Sequence, residues 1–139
     1  MKYLRNFLYI LKHKFNVAIE AIKEGMFLHA LTHDASKFSP KEFKGYANKF
    51  FSDKDLPGFE KAWIHHYKNN PHHWQYWIDY EGNPIDIPLK YIKQMVVDWR
   101  AMSRKFGGSA SEYYMENRKG MNLTEKTNIK IMEVLEGGD

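Results

Sequence analysis

The sequence predicts an all-α fold of about six or seven helices, on three observations. Apolar residues recur every three or four positions through 2–24 and again through 88–105, the period of one helix face. Helix-start signatures, Ser39-Pro40 and Ser109 with Glu112, stand ahead of further such stretches. The pattern breaks into aromatic and turn residues between 72 and 88, where a loop or short hairpin is expected.

Taken in order, Leu4, Leu8, Leu11, Phe15, Ala18 and Ile22 describe the apolar face of a first helix, and Gly25 stops it. A short helix from Met26 to about Asp34 follows, expected to lie antiparallel to the first. Ser39 as N-cap, Pro40 at the first helical position and Glu42 in the first turn open a third helix, running to about Phe51 with Ser52-Asp53 beyond it. Leu56-Pro57-Gly58 is a turn. Phe59, Ala62, Trp63 and His66 then share a face of a helix that Asn69-Asn70-Pro71 terminates. A long helix from about Pro88 to Lys105 carries Tyr91, Met95, Asp98 and Met102 on one side. Gly107-Gly108 breaks the chain, Ser109 and Glu112 form a capping box, and Asn122-Leu123-Thr124 opens the last helix.

The 139 residues suit one domain, with 43% hydrophobic and 27% charged residues, a globular balance far from that of a disordered chain. Without cysteine there is no disulfide framework and no thiolate zinc site, so any metal must be held by imidazole and carboxylate. The apolar run Phe7–Leu11 ends at Lys12, too short for a signal peptide, and no run approaches the roughly 20 residues that cross a bilayer. A soluble cytoplasmic protein with no membrane partner is therefore expected. The formal charge of +4 favours anionic partners, but the lysines are scattered, which fits solvated helix faces better than a nucleic-acid groove.

The chemistry concentrates in the histidines. Four of the seven stand in two pairs, His65-His66 and His72-His73, and His33 precedes Asp34. A neutral imidazole offers a lone pair, and an aspartate can bridge two ions, so a His-Asp dipeptide at a helix end sets two ligands at one point. His13 on the first helix and Asp98 on the fifth are the partners that neighbouring helices could supply. Each residue also has a plainer reading. His13 could be a hydrogen-bonded core histidine, His33-Asp34 a helix terminus, and His72 and His73 loop residues beside Pro71 and Trp74. An aspartate is badly placed at a helix C-terminus, and Asp98 among core residues needs a partner, which argues for a metal at both. His65 and His66 point about 100° apart, so one of them faces a common site; apolar phase selects His66. His29, one turn before His33, is placed beside the site. Trp63, Trp74, Trp77 and Trp99 are expected as core and pocket wall.

His13-Lys-Phe-Asn-Val-Ala18, Leu31-Thr-His33-Asp34-Ala-Ser-Lys37 and Val97-Asp98-Trp99 together resemble the HD superfamily of metal-dependent phosphohydrolases. The second segment commonly reads His-Asp-Ile-Gly-Lys there; Ala35 and Ser36 depart from it. The run Ile64-His65-His66 through Asn70-Pro71-His72-His73-Trp74 is similar to the added histidines of HD proteins with two or three metals, an analogy that favours His65. The Gly-Tyr-Pro signature of the cyclic dinucleotide enzymes is absent, so that substrate is not implied. His-Asp-x-Ser-Lys-Phe with Asn-Pro-His-His-Trp also resembles small bacterial and phage proteins.

The resemblance implies an HD-type helical bundle over residues 1–139. It also implies one or two divalent ions (Mn, Fe, Zn, Ni or Mg) among His13, His33, Asp34, His65, His66, His72, His73 and Asp98. Asp34 and Lys37 are the expected catalytic residues, and the reaction is hydrolysis of a small phosphate ester or nucleotide by metal-activated water. Lys37, with Arg100 or Arg104, is expected to bind the phosphate. The competing expectation is a non-catalytic helical metal- or nucleotide-binding protein. A homodimer is compatible with either.

Overall fold

The structure, a computed structural model, describes residues 1–52 and 58–138. Seven α-helices run through them: α1 Lys2–Lys23, α2 Phe27–Thr32, α3 Pro40–Phe51, α4 Gly58–Asn69, α5 Leu89–Phe106, α6 Ala110–Asn117 and α7 Glu125–Glu136. Among the described residues there is no strand. The expected turn at 56–58 lies, but for Gly58, outside them, as does Asp53.

The helix α1 ends as its sequence asks. Gly25 takes φ +72, and the N–H of Met26 returns to the Ala21 carbonyl at 2.8 Å. Its buried face, however, is not the expected one. Leu4, Leu8, Leu11, Phe15 and Ile22 are exposed, and the face turned inward carries Asn6, Ile10, His13, Val17 and Ala21. Both stripes have helical spacing, so period could not choose between them. Packing chooses the second because its polar members find partners: Asn6 Nδ2 donates to the Phe43 carbonyl at 3.2 Å, and His13 meets Asp98. Its small members, Val17 and Ala21, sit against Ala30, Val97 and Ala101, joining α1 to α2 and α5.

The helix α2 stops at Thr32, two residues short of the expected end, because Asp34 takes the left-handed conformation, φ 53 and ψ 25. A 3-10 turn, Ala35–Phe38, then leads to Ser39 and Pro40. The Ser39 side chain makes no cap hydrogen bond; the helix start rests on Pro40, whose ring pre-sets φ. At Gly45 a Cβ would lie 2.7 Å from that of Ala62 and 2.9 Å from the Gly58 carbonyl oxygen, so glycine is what lets α3 and α4 approach.

The stretch 72–88 is a loop holding a minimal hairpin. After a 3-10 turn at Trp74–Trp77, an isolated antiparallel bridge joins Ile78 to Pro84, and Asp79 Oδ1 accepts from the N–H groups of Glu81 and Asn83. The helix α5 then runs through the middle of the molecule. Ile92, Met95, Val96 and Trp99 pack with Ala110, Tyr114, Ile131 and Leu135 of α6 and α7, while Val97 and Ala101 face α1. The expected capping box is present in full, with Glu112 N–H donating to Ser109 Oγ and Ser109 N–H to Glu112 Oε2. Thr124 caps α7 through Thr127 N–H.

Candidate metal centre

One cluster of small residues, Val17, Ala21, Ala30, Val97 and Ala101, brings α1, α2 and α5 together, and polar side chains of these elements meet at one point. His13 Nε2 lies 3.0 Å from Asp98 Oδ1 and 3.3 Å from His33 Nε2. His33 Nε2 is 3.3 Å from Asp98 Oδ1 and 3.4 Å from Asp34 Oδ2. The other oxygen of Asp34 faces a second group: His72 Nε2 at 3.0 Å and His66 Nε2 at 3.3 Å, with His73 Nε2 2.9 Å from His66 Nε2. Asp34 therefore stands between two nitrogen clusters and offers one oxygen to each. The left-handed turn at Asp34, which aspartate tolerates better than most residues, reverses the chain directly after His33.

These distances fit a bound ion. Ligand atoms at ~2.0–2.2 Å from a common centre lie ~3.0–3.5 Å from each other, and the separations above fall in or close to that interval. The orphaned atoms agree: Asp34 Oδ1, Asp98 Oδ1 and His72 Nε2 are buried without a hydrogen bond although nitrogen and oxygen approach to 3.0 Å. Close approach without hydrogen-bond alignment is what lone pairs aimed at a shared point produce. His13, His33 and Asp34 form one potential metal-holding group, and Asp34, His66, His72 and His73 another; His29, His33 and His72 form a third. These buried groups could hold a metal ion.

The surrounding contacts orient the ligands. His29 Nε2 sits 3.1 Å from His33 Nδ1, leaving His33 Nε2 to face the carboxylates. Glu42, fully buried, accepts from His66 Nδ1 at 2.8 Å and from His65 Nδ1 at 2.6 Å. The first of these bonds turns His66 Nε2 toward Asp34. His65 is thus held on Glu42 and is not among the residues brought to the clusters; it lies one residue, about 100°, out of phase. Arg100 and Arg104 are also elsewhere. Arg100 pairs with Glu24 at 3.2 Å and Arg104 with Glu20 at 2.6 Å, because two and six residues beyond Asp98 is roughly the opposite side of the helix. Lys37 does reach the centre, its amine 2.6 Å from Asp34 Oδ2.

Burial and charge decide the protonation. Burial opposes a charge on His33, but the carboxylates of Asp34 and Asp98 outweigh it and push its pKa up to about 9. Burial would raise both carboxyls; His33 and Lys37 hold Asp34 well below the usual range, and His33 and His13 do the same for Asp98. Desolvation would lower the pKa of Lys37, but Asp34 outweighs it and raises the amine. Burial lowers His72 and His73 and brings His29 to about 3, so these rings are neutral, the form that binds metal.

The clusters open on a cleft of about 660 Å³ whose lining includes His13, Asp34, Lys37, His66, His72 and Asp98. Trp63, Trp74 and Trp99 form part of its wall, while Trp77 packs on Tyr91 instead. Glu42 was not singled out from sequence, since an acid in a first turn is accounted for by the helix dipole. The available signal was phase: Glu42 lies one turn before the buried pair Gly45-Tyr46. No helix is long and apolar enough to cross a membrane among the described residues.

Residues 2–136 match a family described as a family of unknown function, DUF5662, and the chain belongs to it. No curated protein and no solved structure matches the chain.

Proposed function

We propose that this chain is a metal-dependent phosphohydrolase of the HD type, acting on a small phosphate ester or nucleotide. The observation that carries the reading is Asp34 between two clusters of imidazole nitrogens at the floor of an open cleft. His13, His33, Asp34 and Asp98 would hold one divalent ion, and Asp34, His66, His72 and His73 a second. A nitrogen-rich donor set suits Mn, Fe, Zn or Ni better than Mg. A bound ion supplies Lewis acidity, lowering the pKa of water and neutralising phosphoryl charge.

The chain's own residues supply the rest. Asp34 fixes the spacing of the two groups and, through Oδ2, holds the Lys37 amine at the cleft. Among the described residues lining the cleft, Lys37 is the one lysine or arginine, so it is the group that meets a phosphoryl oxygen. Glu42 and His29 position His66 and His33 without facing the reacting atoms.

The alternative, a non-catalytic metal- or nucleotide-binding bundle, is favoured by the near-complete burial of His33, His66 and His72. A closed structural site would have its coordination complete, whereas catalysis needs an open position, and ligands lining a cleft support the latter. The test is elemental analysis of purified protein, then hydrolysis of a panel of phosphomonoesters and nucleotides with Mn added. Stoichiometric metal and turnover are expected, both abolished by His33→Ala with Asp34→Ala. Metal without turnover on any ester would leave the binding protein, and absence of stoichiometric metal would end the phosphohydrolase and metal-binding readings.

A further inference from the structure

Among the described residues, the outer face of α1 leaves Leu4, Leu8, Leu11, Phe15 and Ile22 exposed. Leu4, Leu8, Leu11, Phe15, Ala18 and Ile22 alternate steps of four and three residues, so Leu4, Leu11 and Ala18, and likewise Leu8, Phe15 and Ile22, stand seven apart, the spacing of the seam of one helix packed on another; Ala18, at its margin, also touches the core beside Val17 and Ala21. The inner face, through Ile10, His13, Val17 and Ala21, already holds α1 to the molecule, so this seam points outward. We propose that it is the interface through which two copies of this chain pair, and that α2 flanks the contact.

Three features support a second copy as the occupant. The apolar surface extends beyond the seam: Phe27, Leu28 and Leu31 of α2 are 64%, 73% and 77% exposed. Lys14 Nζ binds the carbonyls of Leu31 and His33, at 3.1 and 2.6 Å, which lays the end of α2 along that edge of α1. Phe7, packed edge-on against Phe38, continues the surface toward the N-terminus. With exposures of 41–77% of side chains that offer roughly 150–250 Å² when aromatic and somewhat less when aliphatic, these residues present on the order of 900 Å². A stable interface takes about 800 Å² from each partner, and the largest apolar patch on an ordinary monomer is about 300–600 Å².

The second feature is charge. No seam position is charged, and Arg5 and Lys12 stand just outside it, an apolar centre with a polar rim. The third is register. A helix lying on a lipid surface needs only a broad apolar arc, whereas a seven-residue repeat kept from Leu4 to Ile22 is what a partner helix requires. The same stripe on two copies is complementary to itself about a two-fold axis.

The experiment is sedimentation velocity and light scattering on the full chain from 1 to 100 μM, on the order of the concentrations where such interfaces form. A species of twice the 16.6 kDa chain mass is expected. Leu8→Glu with Phe15→Glu should weaken association at least 100-fold while helicity, melting temperature of the monomer and metal content stay unchanged. Ile129→Glu, on the exposed side of α7, should pair as the wild type does. Because the chain has no cysteine, Leu11→Cys should cross-link to itself under mild oxidation and Ile129→Cys should not. A wild type monomeric at 100 μM overturns the proposal. So does a dimer that the double variant leaves intact, or a monomer that co-floats with phosphatidylserine vesicles through these residues.

Discussion

Replacing Asp34 should be the most damaging single change to the metal-free protein, and its cost can be divided. Its Oδ2 is 2.6 Å from the Lys37 amine and 3.4 Å from His33 Nε2, with Asp34 almost wholly buried. Removing the carboxylate leaves the Lys37 amine, its side chain 14% exposed, without its nearest counter-charge, a loss of up to about 3–5 kcal/mol. For a chain of this length that is a fall in melting temperature of about 10–20 °C. Asp34→Asn keeps shape and tolerance of the left-handed turn, so it isolates the charge. Asp34→Ala adds strain at φ 53, about 1 kcal/mol beyond Asp34→Gly. Thermal unfolding with a chelator present measures the series, and elemental analysis measures its second consequence: Asp34→Asn should lose both ions, His13→Ala only one. If Asp34→Asn in chelator unfolds within about 1 kcal/mol of wild type, the ion pair at the centre is not what holds it.

The His33 ring gives a pH signature. Its pKa in the metal-free protein is about 9 against an ordinary 6.5, so it contributes stability in full below pH 6.5 and loses it as pH rises to 9. The loss is on the order of 3 kcal/mol, seen as a melting temperature that falls across that window with chelator; a flat profile would contradict it. Metal affinity should move oppositely, rising about tenfold per pH unit up to 9 as the proton leaves His33, measurable by competition with a chelating dye. Glu42→Gln, which weakens the anchor of His66 Nδ1, should lower affinity for the second ion about 10- to 100-fold while leaving the first. Gly45→Ala should destabilise the chain by about 1–3 kcal/mol, since its methyl meets Ala62 at 2.7 Å and forces apart the helices that carry Glu42 and His66. Urea unfolding checks this, and a neutral result would contradict the close approach.

What the sequence conveys about the centre depends on how local the information is. His33-Asp34 and Asp98 were legible from chemistry, because a buried carboxylate or a helix-terminal aspartate demands a partner. Helical phase distinguishes His66 from His65, and His66 is the one that turns into the cluster. Helix boundaries were legible where a cap or glycine carries them, as at Gly25, Ser109 and Thr124. The buried face of α1 was not: two stripes share one period, and the choice depends on partners outside the helix, above all α5, which lies far along the chain. Arg100 and Arg104 are near Asp98 along α5, but the angle around the helix sends Arg100 to Glu24 and Arg104 to Glu20. Glu42 stayed hidden because a local explanation for its position already sufficed.

The methyl-lined junction of Val17, Ala21, Ala30, Val97 and Ala101 has a consequence for the chemistry nearby. Side chains of that size let three backbones come nearer than leucine would allow, and the spacing of the imidazoles and carboxylates is inherited from that nearness. An isobutyl group at position 21 would spread the donors without altering any of them. The geometry of the centre is in this sense written in residues that carry no polar atom in their side chains.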